Sequence, residues 1–272
     1  MRPKAPHVIW TAAIFLAAGF AMPSIVGSQQ VSALQKYMVG KEKSGYVYAD
    51  PQTQAIENDP FANPGYLAVD RGKVLWSQVD GKAGKSCQSC HGAAETSMKN
   101  VGAGYPKYVA KLGKVVDIEE RINDMRVKQM GAEPFKWESP DMLGMTTYVK
   151  FQSHGAPVHV VTTGPAHGVW LMGQKLYKER RGQLDLSCEM CHVQNLDHKL
   201  RTETVSQGQI NGFPTYRFEW QALGSAQRRI QGCFEKIRAK PFPYGSPENL
   251  AFELYVASLG QGLPVETPAV RK

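Results

Sequence analysis

The chain has 272 residues, 42% hydrophobic and 21% charged, so it is long enough for two ordinary folded domains with sizeable cores. Lysine and arginine number 32 against 24 aspartates and glutamates, a formal net charge of +8 at pH 7. This excess favours anionic partners. It is spread along the chain without a dense basic run, which argues against a nucleic-acid-binding protein.

The first residues have the features of a secretory signal peptide. Arg2 and Lys4 give a positive start, an apolar stretch covers about residues 8–22, and a small-residue cleavage site lies near Ser28. The apolar stretch is too short for a membrane span, although an uncleaved anchor is the alternative. We therefore predict a signal peptide over residues 1–28 and a mature protein in the periplasm, without a membrane span.

Four of the five cysteines lie in two copies of the motif C-x-x-C-H, the attachment site of c-type haem. Two thiols at this spacing reach the two vinyl groups of the porphyrin, and the adjacent histidine binds the iron. Zinc sites also use C-x-x-C pairs, but these normally lie close together, whereas the two copies here are 101 residues apart. The sequence predicts two c-type haems, held by Cys87, Cys90 and His91, and by Cys188, Cys191 and His192.

The surroundings of the two motifs repeat as well. Five positions match 101 residues later, four as the same residue and one as Trp against Tyr, and five other residues recur 107 residues later. We therefore predict a mainly α fold with two tandem class I cytochrome c-like domains from an internal duplication, over residues 29–155 and 156–272. The matched pairs are Gly72/Gly173, Leu75/Leu176, Trp76/Tyr177, Ser86/Ser187 and Cys87/Cys188, followed by Ser139/Ser246, Pro140/Pro247, Leu143/Leu250, Tyr148/Tyr255 and Val149/Val256.

Each predicted domain has a helix before its haem motif and a helix at its end. The first type covers about residues 67–78 and 167–180, and the second about residues 141–153 and 248–259. Ser-Pro precedes both terminal helices, with serine as the cap and proline in the first turn. The best strand candidate is the segment 158–163, at the junction of the domains.

The repeat also indicates the distal iron ligands. "RINDM" matches "RIQGC" at an offset of 108 residues, so Met125 corresponds to Cys233. Both residues carry soft sulfur donors that bind haem iron. The rival ligands are methionines and histidines without matching positions, and Cys233 could instead be an inert buried thiol or form an intermolecular disulfide. These rivals are Met130, Met142, Met145, His154, His159, His167 and His198.

Cys233 has cations on its own helix face. Arg229, Cys233 and Lys236 are spaced to form one stripe, and the neighbouring stripe of Ile230, Phe234 and Ile237 is apolar. Cations beside a thiol favour the thiolate, and arginine can bind a small oxyanion through two hydrogen bonds. A solvated helix face is the alternative interpretation of Arg229 and Lys236.

The stretches "SCQSCHG", "SCEMCH", "RIQGCFEKIR" and "YGSPENLAFELYVASLGQGLP" together resemble the SoxA family, the dihaem cytochrome subunits of SoxAX complexes in sulfur-oxidising bacteria. The resemblance covers about residue 45 to the end. It implies an L-cysteine S-thiosulfotransferase that joins thiosulfate oxidatively to a cysteine of the carrier protein SoxYZ. The smaller cytochrome SoxX is the implied partner in a heterodimer, and it carries the electrons away.

The resemblance also implies residue roles. Cys233 matches the haem-ligating, persulfide-bearing active-site cysteine, and Arg229 matches the arginine that holds the substrate anion. The chain departs from well-known dihaem members at Met125, where they have a second cysteine ligand. Two other classes stay open on the residues alone: a periplasmic dihaem electron carrier without sulfur transfer, and a structural subunit whose catalysis lies in a partner.

Overall fold

The computed structural model describes Met1, residues 33–200 and residues 203–272. The predicted signal peptide, apart from Met1, lies outside the described residues. The described part is mainly helical, as predicted. Its α-helices are α1 (Pro51–Asn58), α2 (Tyr66–Ser77), α3 (Cys87–His91), α4 (Ala94–Ser97), α5 (Ile118–Met125), α6 (Pro140–Phe151), α7 (His167–Lys178), α8 (Ala226–Lys236) and α9 (Pro247–Leu259).

Shorter elements connect these helices. Arg126–Met130 and Met190–Gln194 form π-helical turns, and Gly45–Tyr48, Gly102–Gly104, Ala110–Leu112 and Gly164–Ala166 form 3₁₀ turns. Three antiparallel pairs are β1 (Met38–Val39) with β2 (Glu42–Lys43), β3 (Lys107–Val109) with β4 (Lys114–Val116), and β5 (Lys199–Leu200) with β6 (Glu203–Thr204). A mixed sheet has the order β8 (Ala222–Gly224), β7 (Thr215–Arg217), β9 (Ala269–Arg271), in which β7 and β9 are parallel.

The four helices that the sequence predicts are present. The two Ser-Pro starts cap α6 and α9 as expected: the Ser139 hydroxyl accepts from the Met142 amide at 3.2 Å, and the Ser246 hydroxyl accepts from the Asn249 amide at 3.2 Å. The capping serine satisfies a backbone N–H that has no partner within the helix. The observed ends lie within two residues of the predicted ones.

The helices pack in two close pairs, α2 against α6 and α7 against α9. A glycine lies at each contact. A Cβ atom added at Gly72 would lie 2.2 Å from the Gly144 carbonyl oxygen, and one added at Gly173 would lie 2.0 Å from the Ala251 carbonyl oxygen. Glycine is therefore required at both positions, because any side chain would force the helix backbones apart.

The turns that lead to the two haem motifs are also alike. Gly81 and Gly182 have φ of 71° and 70°, in the left-handed region. An added Cβ would lie 2.3 Å from the Met130 carbonyl oxygen at Gly81 and 2.2 Å from the Ile237 carbonyl oxygen at Gly182. In each half of the chain, residues 29–155 and 156–272, the turn before the haem motif thus packs against the segment that follows the predicted distal ligand.

Two apolar clusters form the core. One surrounds α2 and α6 and includes Trp76, Val116 and Met145. The other surrounds α7 and α9 and includes Phe252 and Leu254, which are almost fully buried. The haem motifs border these clusters, since Cys87 packs against the first and Cys188 against the second.

The predicted strand at 158–163 is wrong. Val158 and Val160 are buried and Val161 is exposed, so buried and exposed side chains alternate along this segment as they would along a strand. The segment is extended, but its contacts are isolated: the Val158 amide donates to the Leu263 carbonyl and the Gly262 amide donates to the Val158 carbonyl, both at 2.9 Å. Without a continuous partner strand, a ladder does not form.

Among the described residues, no helix is both long enough and apolar enough to cross a bilayer.

The glycine contact between α7 and α9 yields a stability prediction. We expect Gly173→Ala to lower the free energy of unfolding by about 1–3 kcal/mol, because the added methyl group overpacks two helix backbones. Gly168→Ala on the same helix is the control, since an added Cβ there meets nothing within 4 Å. Urea unfolding of the holoprotein measures both variants. A Gly173→Ala protein as stable as Gly168→Ala would contradict the close packing.

Candidate haem sites and the fifth cysteine

The first haem motif lies on the short helix α3, which begins with a reciprocal cap. The Ser89 amide donates to the Ser86 hydroxyl at 3.0 Å, and the Ser86 amide donates to the Ser89 hydroxyl at 2.9 Å. This cap fixes one helical turn that carries Cys87, Cys90 and His91. The Trp76 ring lies 5.8 Å from the His91 ring, centroid to centroid, so α2 supports the motif from behind.

Next to this motif is a cavity of about 420 Å³. Its lining is mostly apolar and includes side chains from the motif, the β3–β4 hairpin, α5 and α6. A large apolar cavity with a thiol and an imidazole at its wall suits a porphyrin. The lining residues are Trp76, Cys87, His91, Met98, Val101, Tyr105, Lys107, Tyr108, Val109, Ile118, Arg121, Ile122, Met125, Arg126, Met130, Met145 and Val149.

The cavity narrows the choice of distal ligand for the first haem. Met125, Met130 and Met145 line it, whereas Met142 does not. Met130 and Met145 are both buried core residues. Met125, at the end of α5, therefore remains the candidate that the sequence repeat selects, with Met130 as its nearest rival.

The rival histidines are all exposed, and none of the four is among the described residues that line this cavity. Nδ1 of each of three of them contacts a backbone carbonyl: His154 contacts Thr267 at 3.2 Å, His159 contacts Pro157 at 3.1 Å, and His167 contacts Thr162 at 3.2 Å. The fourth is His198.

The second haem motif begins at Ser187, whose hydroxyl accepts from the Met190 amide at 3.2 Å. Cys191 and His192 lie on the π-helical turn that follows. Nδ1 of His192 donates to the Ser206 carbonyl oxygen at 2.7 Å. This bond fixes the tautomer and leaves Nε2 as the free donor atom, the usual support of a metal-binding histidine. Gly208, with φ of 79°, lets the chain pass the ring closely, since an added Cβ would lie 3.0 Å from it.

Helix α8 carries Cys233 and is fixed at both its start and its apolar face. The Ser225 hydroxyl accepts from the Arg228 amide at 3.1 Å and caps the helix. Phe234 is buried, and its ring lies 5.4 Å from Phe252 and 5.6 Å from Phe242. The neighbouring stripe of Arg229, Cys233 and Lys236 is therefore held in a fixed orientation beside this apolar stripe.

Cys233 faces the second haem motif, because its thiol is hydrogen-bonded to the His192 imidazole. Burial raises the pKa of this thiol, but the charges of Arg229, His192 and Lys236 and the bond to His192 outweigh burial and lower the pKa to about 7. By contrast, burial and the nearby charge of Cys233 raise the pKa of Cys188 to about 12. Cys233 is thus the thiol whose surroundings favour a thiolate near neutral pH.

The structure adds a cation that sequence reasoning missed. Arg217, on β7, is 5% exposed, its Nε has no hydrogen-bond partner, and its nearest carboxylates are those of Glu219 at 3.5 Å and Glu203 at 3.6 Å. Burial and the charge of Arg229 lower its pKa, while the charge of Cys233 acts in the opposite direction. Arg217 therefore lies close to Arg229 and Cys233. No motif marks it, since a three-residue strand brings it there.

A buried polar contact joins the two helices that carry the predicted distal ligands. Asp117 caps α5, and its Oδ2 accepts from Nε2 of Gln227 in the first turn of α8 at 2.7 Å. The same amide nitrogen donates to Glu253 at 3.1 Å. Burial and the charge of Glu253 raise the pKa of the neighbouring Glu119 to about 8. The contact fixes both helices relative to α9 at a site away from the cysteines.

Comparison with known proteins agrees with these features. The family model described as SoxA/TsdA, cytochrome c domain, matches residues 71–158 and 172–265, and a cytochrome c domain implies c-type haem. The chain is 45% identical to a protein of Rhodovulum sulfidophilum and 46% identical to one of Pseudaminobacter salicylatoxidans, over 84% of this chain and 80% of each relative. Both relatives are named L-cysteine S-thiosulfotransferase subunit SoxA.

A solved structure has the same fold. It is described as the crystal structure of SoxXA from P. pantotrophus, and it superposes with a TM-score of 0.82 at 39% sequence identity. The match covers 89% of this chain and 90% of that chain. The family model, the relatives and the fold therefore agree over most of the described residues.

The lining of the first cavity yields a ligand prediction. We expect Met125→Leu to change the visible spectrum of the haem at the first motif and to lower its reduction potential, because the thioether ligand is lost. Met130→Leu is the matched control, since it removes a thioether from the same cavity. Spectra and redox titration of the purified holoprotein distinguish the two. An unchanged spectrum in Met125→Leu would transfer the assignment to Met130.

Proposed function

Since the chain belongs to the SoxA/TsdA cytochrome c family, we propose that it catalyses the haem-dependent oxidative transfer of thiosulfate to a cysteine of the SoxYZ carrier protein. The observation that carries this proposal is the environment of Cys233. Its thiol faces His192, has a pKa of about 7 and lies on a helix face with Arg229 and Lys236. The relatives are named for the same activity.

The proposal includes two haems in two tandem domains. The close helix pairs with Gly72 and Gly173, and the turns with Gly81 and Gly182, support an internal duplication because they recur at the offset of the sequence repeat. We assign residues 29–155 and 156–272 to the two domains and residues 1–28 to a signal peptide. The mature protein would then work in the periplasm.

The sulfur and nitrogen donors have distinct roles in this proposal. Cys87, Cys90, Cys188 and Cys191 would attach the porphyrins as thioethers. His91 and Met125 would hold the first iron, and His192 and Cys233 would hold the second. The hydrogen bond to Ser206 orients His192 for this role.

The reaction needs an anion site, a sulfur nucleophile and an electron acceptor. Thiosulfate and a carrier thiol form a new S–S bond with release of one proton and two electrons. Cys233 would serve as thiolate or persulfide, and the bound haem can accept electrons one at a time. Arg229, one helical turn from Cys233, would hold the thiosulfate dianion through charge-assisted hydrogen bonds. SoxX is the proposed partner that receives the electrons, in line with the solved SoxXA structure.

Cys233 and Arg229 can be tested separately. We expect Cys233→Ala to keep both haems attached, since its sulfur forms no thioether, and to lose carrier-linked thiosulfate oxidation. Arg229→Ala should weaken thiosulfate use by about 1.5–3 kcal/mol, about 10- to 150-fold in kcat/KM, through the loss of a charged hydrogen bond.

The control for Arg229 is Arg180→Ala, which removes an exposed arginine paired with Asp185 on the same half of the chain. The assay is thiosulfate oxidation by the reconstituted SoxX complex with SoxYZ. Full turnover by Cys233→Ala would refute the transferase proposal and favour a dihaem electron carrier.

A further inference from the structure

The cationic stripe beside Cys233 has a counterpart in the first half of the chain. Residues 121–128, "RINDMRVK", align with residues 229–236, "RIQGCFEK", at an offset of 108 residues. Arg121 corresponds to Arg229 and Lys128 corresponds to Lys236, on either side of the two sulfur residues. Between them, the first half has Asp124 where the second half has Gly232. The two stripes therefore differ in charge by one carboxylate, that of Asp124.

In the first half, this carboxylate binds both cations. Oδ2 of Asp124 accepts from Nη1 of Arg121 at 2.7 Å, and Oδ1 lies 2.5 Å from Nζ of Lys128. The side chain of Asp124 is only 9% exposed, whereas that of Lys128 is 57% exposed. Arg121 also lines the cavity that contains Met125. The carboxylate thus occupies the place that a small oxyanion would take between the two cations.

In the second half, that place has no carboxylate. An added Cβ at Gly232 would meet nothing within 4 Å, so the structure has room for a side chain there. Within residues 33–200 and 203–272, Arg229 has no carboxylate within ion-pair distance. Lys236 binds Glu219 at 2.8 Å, but Glu219 comes from a different segment and is 43% exposed. Arg229 is therefore available to an anion from solution, and Arg121 is not.

We propose that Arg121 and Lys128 form a second oxyanion site, masked by Asp124, which confines thiosulfate binding to the side of Cys233. The comparison with Arg229 rests on the function proposed above. A carboxylate tethered one helical turn from its partners has a high effective concentration, so free dianions cannot displace it. The consequence is specificity, because the sulfur beside Arg121 belongs to Met125, a thioether that cannot form a persulfide.

Anion binding by the holoprotein tests this proposal without reference to turnover. The background is the double variant Cys233→Ala, Arg229→Gln, in which the proposed active site is disabled. Two substitutions are introduced separately into this background. Asp124→Gly reproduces the glycine found at position 232 in the second half. Asp124→Asn removes the charge but keeps the size of the side chain and the helical structure. The matched control is Asp141→Asn, which removes an exposed carboxylate paired with Arg71 on the same half.

Calorimetric titration with thiosulfate, and with sulfate as a second divalent oxyanion, reports binding at constant ionic strength. We expect both Asp124 variants to gain one site, at least about tenfold tighter than any binding by the background protein. When Arg121→Gln is added to either Asp124 variant, the new anion-binding site should be lost. The visible spectrum of the haem at the first motif should respond to thiosulfate in the Asp124 variants alone.

Three outcomes would overturn the proposal: no gain in a folded Asp124→Asn protein, a gain that survives Arg121→Gln, or an equal gain in Asp141→Asn. A different result would refute the proposed function, namely thiosulfate oxidation by a protein that lacks Cys233. Since the binding experiment already lacks Cys233 and Arg229, its outcome does not depend on whether these residues catalyse the reaction.

Discussion

The packing of Phe234 against Phe252 and Phe242 determines what the fifth cysteine can do. These rings seat one face of α8 in the core, and the neighbouring face then presents Cys233 to His192 with Arg229 one turn away. Burial alone would make this thiol inert, because it disfavours the thiolate. Arg229 and Lys236 on the same helix, together with His192, reverse that effect, so the reactivity of the cysteine depends on the position of the helix.

The first half has a similar framework with different residues beside its predicted distal ligand. Its helix pair meets at Gly72 as the second pair meets at Gly173, and its cavity can seat a porphyrin beside His91. Met125 stands where the second half has the thiol, and Asp124 forms ion pairs with both Arg121 and Lys128. On the function proposed above, sulfur chemistry belongs to the second half, because the first half has no thiol at the position of Cys233. Two similar scaffolds can therefore differ in activity through two adjacent residues.

Much of this arrangement could be predicted from the sequence, because its signals are local. Ser139 and Ser246 announce the starts of α6 and α9, and the haem motifs show which histidines to consider. The missed features depend on distant contacts. Arg217 lies near Cys233 because β7 brings it there. A strand of three residues is too short to show a hydrophobic alternation in the sequence. The segment 158–163 has the alternation of a strand, but the chain beside it makes only isolated hydrogen bonds. The choice between Met125 and Met130 as the distal ligand also depends on which side chains line the cavity, and both of them do.

Mass spectrometry of the purified, denatured protein tests whether four cysteines hold two haems while the fifth is kept for sulfur chemistry. After reduction and alkylation, we expect the mass of a chain with two haems and one alkylated cysteine, which peptide mapping should assign to Cys233. Thiosulfate labelled in its outer sulfur should leave label on the same peptide before reduction. A single haem, or a second alkylated cysteine, would contradict the account.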